Sequence, residues 1–153
     1  MIESQFNLDD TVGSYGARGS LNRDGSGAVA IKNICEMYEH TKNITLEEII
    51  KKYRLGRSIF GTNPFKIRRA LRKLGFEVKF KLYATTKNMR GYHTYILLFY
   101  RHGDKFYDGW HYTAGKQNSL GQMKTYNLLH FYKNIAQFKQ FEKPIFPMIF
   151  LIR

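Results

Sequence analysis

The sequence predicts an α+β fold, with helices in the first half and a mostly antiparallel sheet in the second. From Gly27 to Leu74 the apolar residues recur at helical spacing between recognisable caps. After Gly75 they change to the alternation of a half-buried strand. The chain has 153 residues, of which 43% are apolar and 16% aromatic, enough to bury a core of its own. A single domain over residues 1–153 is therefore expected.

Residues 1–24, with Gly13, Gly16 and Gly19 among Ser, Asn and Asp, read as an irregular arm. A Gly-Ser-Gly turn, Gly25 to Gly27, then runs into an amphipathic helix carried by Ile31, Ile34, Cys35 and Tyr38 to about His40. Thr45 and Glu48 form the capping box of a second helix, which ends near Gly56. A third has Asn63 as N-cap, Pro64 at its first position and Gly75 as its stop. Its apolar face is Ile67, Ala70, Leu71 and Leu74, and its other face is Lys66, Arg68, Arg69, Arg72 and Lys73.

EVKFKLYA (77–84) reads as a strand, HTYILLFY (93–100) as a central strand, and KFYDGW (105–110) as its hairpin partner across an RHGD turn. Residues 112–120 read as a loop, and Asn127 to Gln140 as a helix through Leu128, Phe131 and Ile135. PIFPMIFLI (144–152) closes the sheet, with Pro147 at an edge or a bulge.

The formal charge of +13 favours anionic partners, unless lysine serves solubility alone. The lone Cys35 excludes an internal disulfide framework and suits a reducing, cytoplasmic setting; its place on the apolar stripe makes it a core thiol. No Cys/His cluster has metal-ligand spacing, so neither metal nor cofactor is expected. There is no long uncharged apolar run, and the first residues are polar and acidic, so neither a membrane span nor a secretory signal is read.

Three polar positions stand out as candidate chemistry. Ser26 lies at a helix start, where unpaired amides and the helix dipole stabilise an anion, though a glycine-flanked serine is also an ordinary N-cap. His93 opens the central strand and Asp108 ends the next, as a base and its orienting carboxylate would. With the turn centred on His102 and Gly103, His93 pairs near Tyr112 and leaves Asp108 offset. His40, His102, His111 and His130 read as loop or surface residues, with His111 held in reserve for its nearness to Asp108.

DGSGAVAIKNI resembles the nucleophile segment of papain-like cysteine peptidases of the bacteriocin-processing, double-glycine leader peptidase type. GTNPFKIRRALRKLGFEVK is similar to that family's helix-then-strand stretch, HTYILLFY to its histidine strand, and Asp108 to its third triad member. The resemblance implies a papain-like thiol hydrolase acting on a peptide or amide bond, with Ser26 at the nucleophile position, His93 as base and Asp108 as orienter. Three departures accompany it. Serine stands where the family has cysteine, which implies an inactive Cys-to-Ser form. The oxyanion-hole glutamine falls on Ser20, with Asn22 the nearest amide side chain. Gly109, where the family usually has Pro, follows Asp108.

Two rival readings remain. Residues 45–75 can be read as a helix-turn-helix with a basic face for nucleic acid. A catalytically dead papain-like domain that binds a peptide or inhibits a partner is the other.

Overall fold

The structure is a computed structural model and describes residues 1–3, 25–55, 57–58, 61–101, 109–128 and 132–153. Its helices are α1 (Ser26–Glu36), α2 (Leu46–Tyr53), α3 (Pro64–Lys73), α4 (Thr86–Met89) and α5 (Ile135–Glu142). Its strands are β1 (Arg57–Ser58), β2 (Gly61–Thr62), β3 (Val78–Lys81), β4 (Thr94–Arg101), β5 (Gly109–Gln117), β6 (Met123–Tyr126) and β7 (Ile145–Ile152). β1 and β2 form a small antiparallel ribbon, and the others one sheet in the order β3-β7-β4-β5-β6, with every pairing antiparallel. This is the expected α+β layout.

β4 is apolar throughout because both of its faces are covered. Ile96 and Leu98 pack with α1, α2 and α3 on one side. Tyr95, Leu97 and Phe99 pack with Ile135 and Phe138 of α5 and Met89 of α4 on the other. The caps act as the sequence implies. Thr45 and Glu48 close a reciprocal capping box, the Asn63 side chain accepts from the amide of Phe65, and Gly75 takes φ +96° past α3. α1 ends at Glu36, short of His40, and α2 ends at Tyr53 with Arg54 as a left-handed cap.

The second half departs from expectation in two places. Residues 112–120 are mostly strand, since β5 runs to Gln117 and a short turn leads into β6. Small and polar residues there, such as Thr113, Ala114 and Gly115, hid a strand that is buried by its neighbours. The last helix begins at Ile135, capped by the side chain of Asn134, while Asn127 turns out of β6 at φ +65°. Pro147 does mark a bulge: the β4–β7 register slips between Leu98 and Tyr100, and neighbouring Phe146 takes φ +49°.

The N-terminus is tied down locally. The buried side chain of Asn33 donates to the Ile2 carbonyl at 2.9 Å and accepts from the Ile2 amide at 2.7 Å. The Glu3 carbonyl accepts from the amide of Asn127 at 2.9 Å. Cys35 is fully buried, and desolvation pushes its thiol up to about 11. Among the described residues no helix is long and apolar enough to cross a membrane.

Candidate active site

Each glycine of the Gly-Ser-Gly turn has its own reason. Gly25 is the N-cap, with no side-chain hydrogen bond to close the helix. Gly27 is small because β2 lies against it: a Cβ there would stand 2.5 Å from the Cβ of Thr62 and 2.9 Å from Cδ1 of Ile67. Ser26 is thus the first helical residue and not a capping serine. Its side chain is spent elsewhere, with Oγ accepting from the backbone amide of Tyr112 at 3.3 Å. The residue is 4% exposed. No acidic side chain occupies the first turn of α1, so the positive end of the helix is not offset there.

That amide is reachable because β6 stops at Tyr126, whose partner on β5 is Ala114. Among the described residues no strand lies on the β6 side of β5 at Tyr112, and Ser26 Oγ bonds there. His111, whose side chain leaves β5 on the face opposite to that of Tyr112, bonds at the same end of the strand. Its Nε2 lies 2.8 Å from the carbonyl of Asn127, the residue that follows β6. A carbonyl only accepts, so Nε2 carries a proton and Nδ1 is the basic nitrogen of the neutral ring. The ring packs edge-on against Phe99, at 5.6 Å between centroids. Nδ2 of Asn127 donates to the Tyr112 carbonyl at 3.3 Å, and Asn127 is one of the few residue types that tolerate its left-handed backbone. The Tyr112 hydroxyl donates to the carbonyl of Thr62 at 2.6 Å, fastening the β2 ribbon over the start of α1.

His93 is elsewhere. Thr94 pairs with Lys116, and Nδ1 of His93 lies 3.4 Å from the carbonyl of Gln117, in an exposed position. Five residues of strand separate Gln117 from Tyr112, roughly 17 Å at the usual rise. Arg101 pairs with Gly109, so His93 does not pair near Tyr112. The structure does not bring Ser26 and His93 together. Asp108, Ser20 and Asn22 lie outside the described residues.

Ser26 meets β5 through the backbone amide of Tyr112, which no residue type announces, whereas the hairpin that carries Tyr112 was legible as a pattern. WHYTAGKQNSLGQMKTYN places a histidine and an asparagine sixteen residues apart, across an Asn-Ser-Leu-Gly turn suited to a hairpin. Among the described residues no group of His, Cys, Asp and Glu is arranged to hold a metal ion.

No protein-family model matches the chain, and no curated protein is significantly similar to it in sequence. Solved structures are similar in fold. One is the peptidase domain of Streptococcus ComA, a bi-functional ABC transporter involved in a quorum sensing pathway. It has a TM-score of 0.56 at 15% identity, over 85% of this chain and 90% of that one. Another is a double glycine motif protease from an AMS/PCAT transporter, in complex with the leader peptide. It has a TM-score of 0.55 at 16% identity, over 83% of this chain and 82% of that one. The chain thus has a fold like that of double-glycine peptidase domains.

Proposed function

We propose that this chain is a papain-like domain that binds a peptide at the start of α1. Ser26 holds the nucleophile position, His111 is the base, and Asn127 orients the imidazole in place of Asp108. The observation that supports this reading is the contact of Ser26 Oγ with the Tyr112 amide, one residue along β5 from His111, whose Nε2 lies against the Asn127 carbonyl.

With a thiol at position 26, the helix terminus would favour the thiolate and His111 would hold the imidazolium. Attack on the scissile carbonyl forms the acyl-enzyme. The imidazolium gives its proton to the leaving amine, and water then releases the acid with His111 as base. The amide of residue 26, with Asn22 or Ser20, supplies the oxyanion donors. The same groups would serve acyl transfer or deamidation. A serine hydroxyl ionises far less readily than a thiol, so the chain with Ser26 binds peptide and turns it over slowly or not at all.

The test is Ser26→Cys followed by alkylation between pH 5 and 8. Cys35 is buried with its thiol pushed up to about 11, so it contributes little to labelling of the folded chain. An introduced thiol that stays reactive at about pH 6, well below an ordinary thiol, supports the reading. An introduced thiol that titrates like a surface cysteine sinks it.

A further inference from the structure

We propose that the groove between α2 and α3 binds single-stranded nucleic acid, with phosphates among five cations and a base stacked on Phe65. The groove encloses about 460 Å³ and is lined by Lys52, Arg54, Lys66, Arg69 and Lys73, with Tyr53 in its wall and no carboxylate. Among the described residues none of these five cations forms an ion pair, whereas Lys32, Lys42 and Lys51 do. Glu48, one turn from Lys52, feels its charge without bonding it. The charge is also local. Between Glu48 and Glu77 lie nine Lys or Arg and no Asp or Glu, so this stretch carries nine of the formal +13. Lysine kept for solubility alone would be spread over the surface. Like charges gathered around one concavity repel one another, and a polyanion removes that cost.

No residue of α1 or β5 lines the groove, so it is separate from the nucleophile position and its own chemistry selects the ligand. Lys66, Arg69 and Lys73 recur at i, i+3 and i+7, which is one stripe of α3. Nζ of Lys66 donates to the carbonyl of Arg54 at 2.8 Å and ties that stripe to the end of α2. Phe65 precedes Lys66 and stands one turn before Arg69 on the same face, so its ring borders the row of cations. The ring is 80% exposed. A basic groove for a phosphate backbone, with an aromatic face beside it for a base, is how single strands are held without reading their sequence. A chain of carboxylates or of bare phosphates would satisfy the cations and leave the ring in water. Docking on a duplex as a helix-turn-helix does not fit, because the β1–β2 ribbon, and not a tight turn, joins α2 to α3.

The experiment uses the whole chain with a fluorescein-labelled single-stranded oligonucleotide of mixed sequence, read by anisotropy. Unlabelled inorganic polyphosphate and a Glu-rich peptide of equal charge serve as competitors. The oligonucleotide should bind at low salt, and added salt should weaken it steeply. The double change Arg69→Glu with Lys73→Glu should weaken it about tenfold or more. The same change of charge at Lys79 and Lys87, on the α5 side of the sheet, should leave it within about twofold. Phe65→Ala should weaken the oligonucleotide about fivefold or more and leave polyphosphate unaffected. Circular dichroism confirms that each variant is folded. Equal loss from the Lys79 and Lys87 pair, or undiminished binding in the folded groove variant, overturns the proposal. Better competition by the Glu-rich peptide overturns it in favour of an acidic peptide. An unchanged affinity in Phe65→Ala overturns it in favour of a polyanion without bases. Thiol reactivity of Ser26→Cys is read separately, so failure of the groove and failure of the active-site reading give different results.

Discussion

The two ends of the β4–β5 pair each hold a histidine beside a carbonyl, and the two differ in burial and in what lies next to them. At the far end His93 is exposed, and its Nδ1 lies a long 3.4 Å from the Gln117 carbonyl. At the near end His111 is 6% exposed, its Nε2 lies 2.8 Å from the Asn127 carbonyl, and Ser26 of α1 contacts the amide of the adjacent Tyr112. Both histidines occupy a strand terminus with a hairpin partner. They differ in what the helix delivers to them: the N-terminus of α1 meets Tyr112, while Tyr38, just beyond its C-terminus, hydrogen-bonds Thr94 at 2.5 Å. The direction of one helix over the sheet therefore brings Ser26 to the His111 end of β5 and not to the His93 end.

The sharpest way to break this comparison is to remove each histidine in the Ser26→Cys background. His111→Ala should cut thiol reactivity near pH 6 by about a hundredfold or more, whereas His93→Ala should leave it within about twofold. The reverse pattern would return the site to the other end of β5. The measurement is the rate of alkylation against pH.

Stability tests probe the same end of the strand. Gly27→Ala puts a Cβ into Thr62 and should destabilise the domain by about 1–3 kcal/mol, despite the better helix propensity of alanine. Urea unfolding with an unchanged midpoint would show that β2 does not rest on α1. Tyr112→Phe leaves the buried Thr62 carbonyl without its donor and should cost about 1–2 kcal/mol. His93→Ala, at the exposed end, should change stability by less than about 0.5 kcal/mol in the same assay.

The smallest effect belongs to Cys35. A thiol is neutral when protonated, and the folded state raises its pKa from 9.0 to about 11. Its contribution is therefore full below pH 9 and is lost as pH rises from 9 toward 11. The alkaline fall in stability should be shallower in Cys35→Val than in the parent, as read from unfolding midpoints across that window.

Local rules were legible where the deciding interactions are local. Thr45 with Glu48, Asn63 with Pro64, and Gly75 act within one turn of the chain, so their residue types suffice to announce them. The change of period after Gly75 and the two-sided burial of β4 follow the same logic. β5 escaped because Thr113, Ala114 and Gly115 carry little apolar signal of their own; they are buried by α1, β4 and β6. The place of His93 relative to Tyr112 was illegible for a related reason: it depends on the β4–β5 register, in which Thr94 pairs with Lys116 and Arg101 with Gly109.

By itself, then, the sequence determined the α+β order and the capped starts of α2 and α3, because caps, periods and glycines act on their near neighbours. The partner of Ser26 was decided only in three dimensions. It depends on where β6 stops, how β4 and β5 register, and which way α1 crosses them. Those are set by packing between residues far apart in the chain, 86 positions in the case of Ser26 and Tyr112, and no local pattern carries that information.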